Sequence, residues 1–355
     1  MLPAALALLA PADYFQVQTL AKDIFAVVRK EPPGLAVDCN VLLIVNEKDV
    51  VMVDANIGPE SATATLDALA KITSKPVSAI IATHYHDDHM GGVATIRARF
   101  PNVELIAHAS ATESIINLLK PAREGMIEVA PQMTTWLKSH LDKNTSIEGQ
   151  PIDDEQRTSY ASDIRLAERY AKEMPAVRLP FPTRTVNDSL ILKRDDREIQ
   201  ILHLGEGHTP ADLVVWLPKE RIAAVGDLVC YPIPLVGGNQ SNVPAWPATL
   251  NKIKGLNFKT LLPGHGPVMT HTKYLDQMSV FFSAITQTVQ KAIPQHKELA
   301  EIQEENAFSD QKTIFCGTST VRPFLFEQYL RLPSIESAFR HLTKESQARS
   351  TEPMP

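Results

Sequence analysis

The chain has 355 residues, 44% of them apolar and 21% charged, which suits one sizeable core with additions and excludes a disordered chain. A net charge of −6 leaves no electrostatic footprint for nucleic acid or an anionic membrane, so neither is expected as a partner. Cys39, Cys230 and Cys316 are too few and too widely spaced for a disulfide framework or a paired-cysteine metal knuckle, and are expected as buried free thiols.

Residues 1–15 begin with an apolar run that resembles the hydrophobic region of an export signal but lacks a basic leader. The run falls far short of the ~20 residues of a membrane span. It is read as a signal remnant or an apolar tail, tilting the expected location toward periplasmic or secreted. Val41–Val45 and Val50–Val53 flank Asn46-Glu47-Lys48-Asp49, which predicts a hairpin with a four-residue turn. Leu66, Leu69 and Ile72 recur at helical spacing until Lys75-Pro76, and 77–82 follows as a short buried strand. The segment Thr83-His84-Tyr85-His86-Asp87-Asp88-His89 therefore lies in the loop leaving that strand. Gly91-Gly92 permits a tight turn into a short helix, and 103–107 is the next strand.

From about 110 to 182 the pattern becomes helical and polar, with helices over 126–141 and 153–174 and no strand signal. Strand patterns resume at 190–193 and 198–204, turning at Asp195-Asp196, then at 213–217, 222–225 and Thr260–Leu262. Leu275, Met278, Phe281, Phe282, Ile285 and Val289 form the apolar face of a helix. From 294 the chain is charged and helical, with Phe315, Phe324, Leu325 and Phe326 to dock it and about ten terminal residues as a disordered tail. Strands and helices alternate on both sides of the insert, which predicts an α/β fold of two sheets packed face to face with helices outside. The expected organisation is a domain over 16–293, interrupted by a helical insert at about 110–182, and a C-terminal helical extension over 294–355.

His84, His86, Asp88 and His89 place four metal-binding side chains within six residues on a loop, where side chains converge in ways a helix or strand forbids. Imidazole with carboxylate suits zinc or another first-row transition metal. Later strands are each followed by a further ligand type beside glycine: His208 after Gly207, Asp227 after Gly226, and His265 between Gly264 and Gly266. Ligands at strand ends from both halves can meet at one edge of a sandwich.

This ordered set, an HxHxDH motif followed by a distant His, an acidic ligand and a final His, resembles the metallo-β-lactamase superfamily over about 41–270 outside the insert. The resemblance implies an αββα four-layer sandwich of two mixed β-sheets flanked by helices. It also implies two Zn2+ or other transition-metal ions: the first held by His84, His86 and His208, the second by Asp88, His89 and His265, with Asp227 bridging. The implied activity is hydrolysis of an ester, lactone, thioester or amide by a shared water or hydroxide. Asp88 is then either a catalytic group that orients the nucleophile and passes a proton to the leaving group, or a ligand only.

In the β-lactamase subclass with a Cys ligand, a Lys three residues on captures the substrate carboxylate. Here Asp227 stands for that Cys and Cys230 for that Lys, and no Lys or Arg lies between Asp227 and Trp246. Asn239, after Gly237-Gly238, is either a donor to a developing oxyanion or a turn residue. Tyr231, Trp246 and the proline-rich 232–247 either wall an apolar pocket or pack as a surface loop. This combination favours a lactonase or esterase acting on uncharged acyl compounds, with a β-lactamase proper as the alternative. From other classes, a non-heme iron oxidoreductase on the same fold and a non-catalytic metal-binding module stay open. A small molecule is the expected partner, a homo-oligomer is open, and the insert is expected to act as a lid over the metal edge.

Overall fold

The computed structural model describes residues 14–237 and 239–351, so nearly all of the proposed signal remnant lies outside the described residues. Two antiparallel strands absent from the sequence reading begin the fold, β1 (Phe15–Ala21) and β2 (Ile24–Arg29). β1 is an edge strand with mostly solvated side chains, so it has no clean apolar alternation to read. The expected hairpin of β3 (Val41–Val45) and β4 (Val50–Val53) follows, its turn tied by Asn46 Nδ2 donating to Asp49 at 2.9 Å. Next come α1 (Pro59–Ile72), whose Pro59 suits a first helical turn, and β5 (Val77–Ile81). After these lie α2 (Asp87–Met90), α3 (Val93–Arg99) and β6 (Glu104–His108).

The segment read as an insert contains α4 (Ala111–Ser114), α5 (Lys120–Lys143) and α6 (Asp154–Glu173). Asp153 caps α6 by accepting from the Gln156 N–H, and Gln156 reciprocates, a capping box that fixes where the helix starts. A short strand unread in the sequence, β7 (Arg184–Val186), then returns to pair with β6. The chain continues through β8 (Ser189–Arg194), β9 (Arg197–Leu202), β10 (Val214–Leu217) and β11 (Ile222–Ala224). It closes with α7 (Trp246–Gly255), β12 (Thr260–Leu262), α8 (Lys273–Ala292), α9 (Leu299–Glu305), α10 (Ser309–Cys316), α11 (Arg322–Leu325) and α12 (Leu332–Thr351). α12 thus occupies much of the stretch read as a disordered tail.

The strands form two mixed sheets, one ordered β1-β2-β3-β4-β5-β6-β7 and the other β12-β11-β10-β9-β8. Alternation within strands builds the layers. Leu42 and Ile44 of β3 meet Val215 and Leu217 of β10 between the sheets. Val41 and Leu43 face outward onto Leu66 and Leu69 of α1, while Val214 and Trp216 face Phe281 and Phe282 of α8. The result is the four-layer αββα sandwich. Phe315, Phe326 and Ile335 of the C-terminal segment join the second outer layer. β4, β5 and β6 are parallel, as are β11 and β12, so the loops leaving their carboxyl ends gather at one edge.

Candidate metal centre

At that edge the loop after β5 is pinned from its first residue. The Asp54 carboxylate, just past β4, accepts the Thr83 N–H at 2.8 Å and its hydroxyl at 3.0 Å. His84 Nε2 and His208 Nε2 then lie 3.1 and 3.0 Å from His86 Nδ1. Donors held about 2 Å from one tetrahedral ion stand roughly 3.3 Å apart, so these three nitrogens have the spacing of a coordination shell.

A second group lies beside the first. His89 Nε2 is 3.2 Å from Asp88 Oδ2 and 3.1 Å from Asp227 Oδ1, and His265 Nε2 is 3.0 and 3.3 Å from the same two oxygens. The other oxygen of Asp227 faces His208 Nε2 at 3.6 Å, so one carboxylate reaches both groups. His89 Nε2, His265 Nε2 and Asp227 Oδ1 are buried and make no hydrogen bond. Buried polar atoms rarely stay unsatisfied, and imidazole with carboxylate is a donor set for zinc or a similar ion. The residues present therefore fit a pair of metal ions.

The far nitrogen of each imidazole is also occupied, which fixes ring orientation and tautomer. His84 Nδ1 meets the Thr83 hydroxyl at 3.2 Å and His89 Nδ1 meets Asp54 at 2.9 Å. His208 Nδ1 bonds the Leu235 carbonyl at 2.7 Å and His265 Nδ1 the Asp38 carbonyl at 3.1 Å. His86 Nε2 bonds Gln240 Oε1 at 2.9 Å, and that oxygen also accepts the Tyr85 hydroxyl. Glycine is required where backbone crosses these groups: a Cβ on Gly264 would collide with Asp227 Oδ1 and lie 2.8 Å from the Gly226 carbonyl carbon.

The two groups differ electrostatically. Burial pushes His84 well below the usual imidazole range and His208 down to about 4, so both are neutral donors at pH 7. Burial also opposes a charge on His265, but the Asp227 and Asp88 carboxylates outweigh it and lift that imidazole to about 10. Likewise burial opposes ionisation of Asp227 and Asp88, yet His265 and His89 hold both well below the carboxylate range. The second group is thus a strong field for positive charge, which a divalent ion satisfies in place of protons.

The structure sorts the expected substrate residues differently from the sequence reading. Trp246 is fully buried, donates to the Leu228 carbonyl at 3.1 Å and stacks on Phe282. It backs His208, whose ring centre is 6.1 Å away, and belongs to the core. Asn239 is exposed on its turn, and the next residue, Gln240, makes the contact to the metal loop. Tyr231 is exposed, as a pocket wall must be, and lines a cleft of about 300 Å³ beside His265 with Pro32, Ile233 and Leu235. Arg322, Leu325 and Tyr329 of the C-terminal segment complete it. The Arg322 guanidinium lies 5.9 Å from the Tyr231 ring centre, and its Nε is buried with no hydrogen-bond partner. Sequence reasoning missed Gln240 and Arg322. Gln240 adjoins a residue it did select, whereas Arg322 lies far beyond the last ligand with no local motif to mark it.

A family model described as the metallo-beta-lactamase superfamily matches residues 34–265. A metallo-beta-lactamase type 2 of Bacteroides fragilis is 36% identical over 106 residues, 27% of this chain and 43% of that protein. A linear primary-alkylsulfatase of a Pseudomonas species is 23% identical over 238 residues, 64% of this chain and 42% of that protein. The chain spans less than half the length of both relatives. A solved metallo-beta-lactamase from Pontibacter korlensis superposes with a TM-score of 0.51 at 14% identity, covering 76% of this chain and 99% of that one, a likeness of fold alone.

Proposed function

The chain belongs to the metallo-beta-lactamase superfamily, and from that premise we propose that it is a hydrolase of ester, lactone or amide bonds that works with two zinc or similar ions. The observation that carries this reading is the Asp227 carboxylate, with one oxygen toward His89 and His265 and the other toward His208. When bound, such ions would supply a nucleophile at neutral pH, by lowering the pKa of water toward ~7, and polarise a carbonyl. Asp88 has the most exposed side chain of its group, 15% against 10% for His265, 3% for Asp227 and none for His89. Under this reading it orients the attacking water and hands a proton to the leaving group. Asp227 and the buried imidazoles hold position and exclude bulk water.

Metal-reconstituted protein should contain two ions per chain and turn over at least one class in a panel of chromogenic esters, lactones and β-lactams. One ion or none, or no turnover of any acyl substrate, would overturn this reading. Uncharged acyl substrates suit the mainly apolar cleft. Arg322 supports a second reading, in which the substrate carries a carboxylate as β-lactams do: a cation missing between Asp227 and Trp246 reaches the cleft from α11. A charge-assisted hydrogen bond of this kind contributes ~1.5 to 3 kcal/mol, or roughly ten- to a hundred-fold in recognition. Under the second reading Arg322→Ala raises KM for carboxylate-bearing substrates and spares neutral lactones. An equal effect on both favours the uncharged substrates.

A further inference from the structure

The insert helices supply none of the described residues that line the cleft beside His265. They grip two loops instead. Arg123 of α5 donates through Nε to both oxygens of Asp87 at 3.0 Å and reinforces that contact through Nη2. Tyr170 of α6 donates its hydroxyl to Asp87 at 2.6 Å. Asp87 lies between His86 of the first group and Asp88 of the second; it opens α2, the turn that carries Asp88 and His89, and is largely buried, at 11% side-chain exposure.

The second grip is on the loop between β2 and β3. Asp163 of α6 accepts the N–H groups of Leu35 and Ala36, both at 3.0 Å. Arg169 of α6 pairs with the Asp38 carboxylate at 3.3 Å, and the Asp38 carbonyl receives His265 Nδ1. Through Asp87 and Asp38 the insert therefore reaches every histidine and carboxylate of the second group except Asp227. The four imidazoles other than His265, His89 included, take their side-chain support elsewhere, from Asp54, Thr83, Gln240 and Leu235.

From this asymmetry we propose that the helical insert sets the affinity of the second metal position, with Arg123, Tyr170 and Arg169 as its positioning residues. The proposal rests on the two-ion reading above. Groups that orient metal ligands typically contribute ten- to a hundred-fold to metal affinity; among the five imidazoles only His265 has its partner, Asp38, on a loop that the insert grips, and Asp88 and His89 lie on the turn that Asp87 opens.

The test uses full-length protein reconstituted with zinc and titrated with a chelator, alongside the cobalt(II) form, whose absorption reports the coordination of each ion. Tyr170→Phe, Arg123→Gln and Arg169→Gln should each weaken the second ion by ten- to a hundred-fold and leave the first unchanged. Tyr170→Phe removes one hydroxyl and keeps the packed ring, so it answers the question even where loss of a buried arginine prevents folding. Unchanged second-ion affinity in Tyr170→Phe and Arg169→Gln would overturn the proposal, as would parallel loss of both ions. Wild-type protein that itself takes up a single ion would instead overturn the two-ion reading, so the two failures are distinguishable.

Discussion

Asp227 shows how much of the centre depends on single atoms. Its two oxygens face different imidazole groups, so its substitution should disturb both positions. His265→Ala should empty the second position preferentially and His208→Ala the first, each read by elemental analysis after dialysis. Loss of both ions from either variant would mean that the positions do not act separately. Gly264→Ala forces a methyl group against Asp227 Oδ1 and the Gly226 backbone, neither of which is the free end of a flexible side chain. An overpacked site of this kind costs about 1 to 3 kcal/mol, so both Tm and metal content should fall. A Tm unchanged from wild type would show that the loop relaxes.

Between elements, the contact of α6 with the loop after β2 carries a pH signature. Burial raises Asp163 from the ordinary 3.8 to about 6, although the N–H groups of Leu35 and Ala36 oppose the shift. A carboxyl whose folded pKa exceeds its unfolded one contributes its stability below the unfolded value and loses it as pH rises through the folded value. The wild-type protein should therefore lose stability relative to Asp163→Asn between about pH 4 and 6, followed by denaturant titration. Parallel stability profiles would refute this assignment. A second comparison separates Tyr231, in the loop before α7, from Trp246, the first residue of that helix. Trp246→Ala removes a fully buried indole stacked on α8 and should cost about 3 to 5 kcal/mol. Tyr231→Ala, on an exposed ring, should leave stability nearly unchanged and alter KM. Equal destabilisation by both would place Tyr231 in the core as well.

For the molecule as a whole, metal binding and folding are linked, because the donors come from both sheets and occupy fixed positions only in the native state. Ions present at a thousandfold excess over Kd stabilise by about 4 kcal/mol per site, so chelation should lower Tm and metal should restore it; an unchanged Tm would mean that the edge is rigid without ions. The sequence by itself determined the pattern of two sheets with outer helices, since period-2 and period-3.6 alternation are local properties. It likewise marked as candidate metal-binding side chains the clustered His84, His86, Asp88 and His89 and the glycine-flanked His208, Asp227 and His265. Only the tertiary structure decided that one oxygen of Asp227 faces each group, that Trp246 is core, and that Gln240 holds His86. It also brought Arg322 from α11 to the cleft and set Arg123 and Tyr170 on Asp87. These are contacts between segments far apart in the chain, whose geometry depends on how the layers pack and leaves no periodicity in the segments that make it.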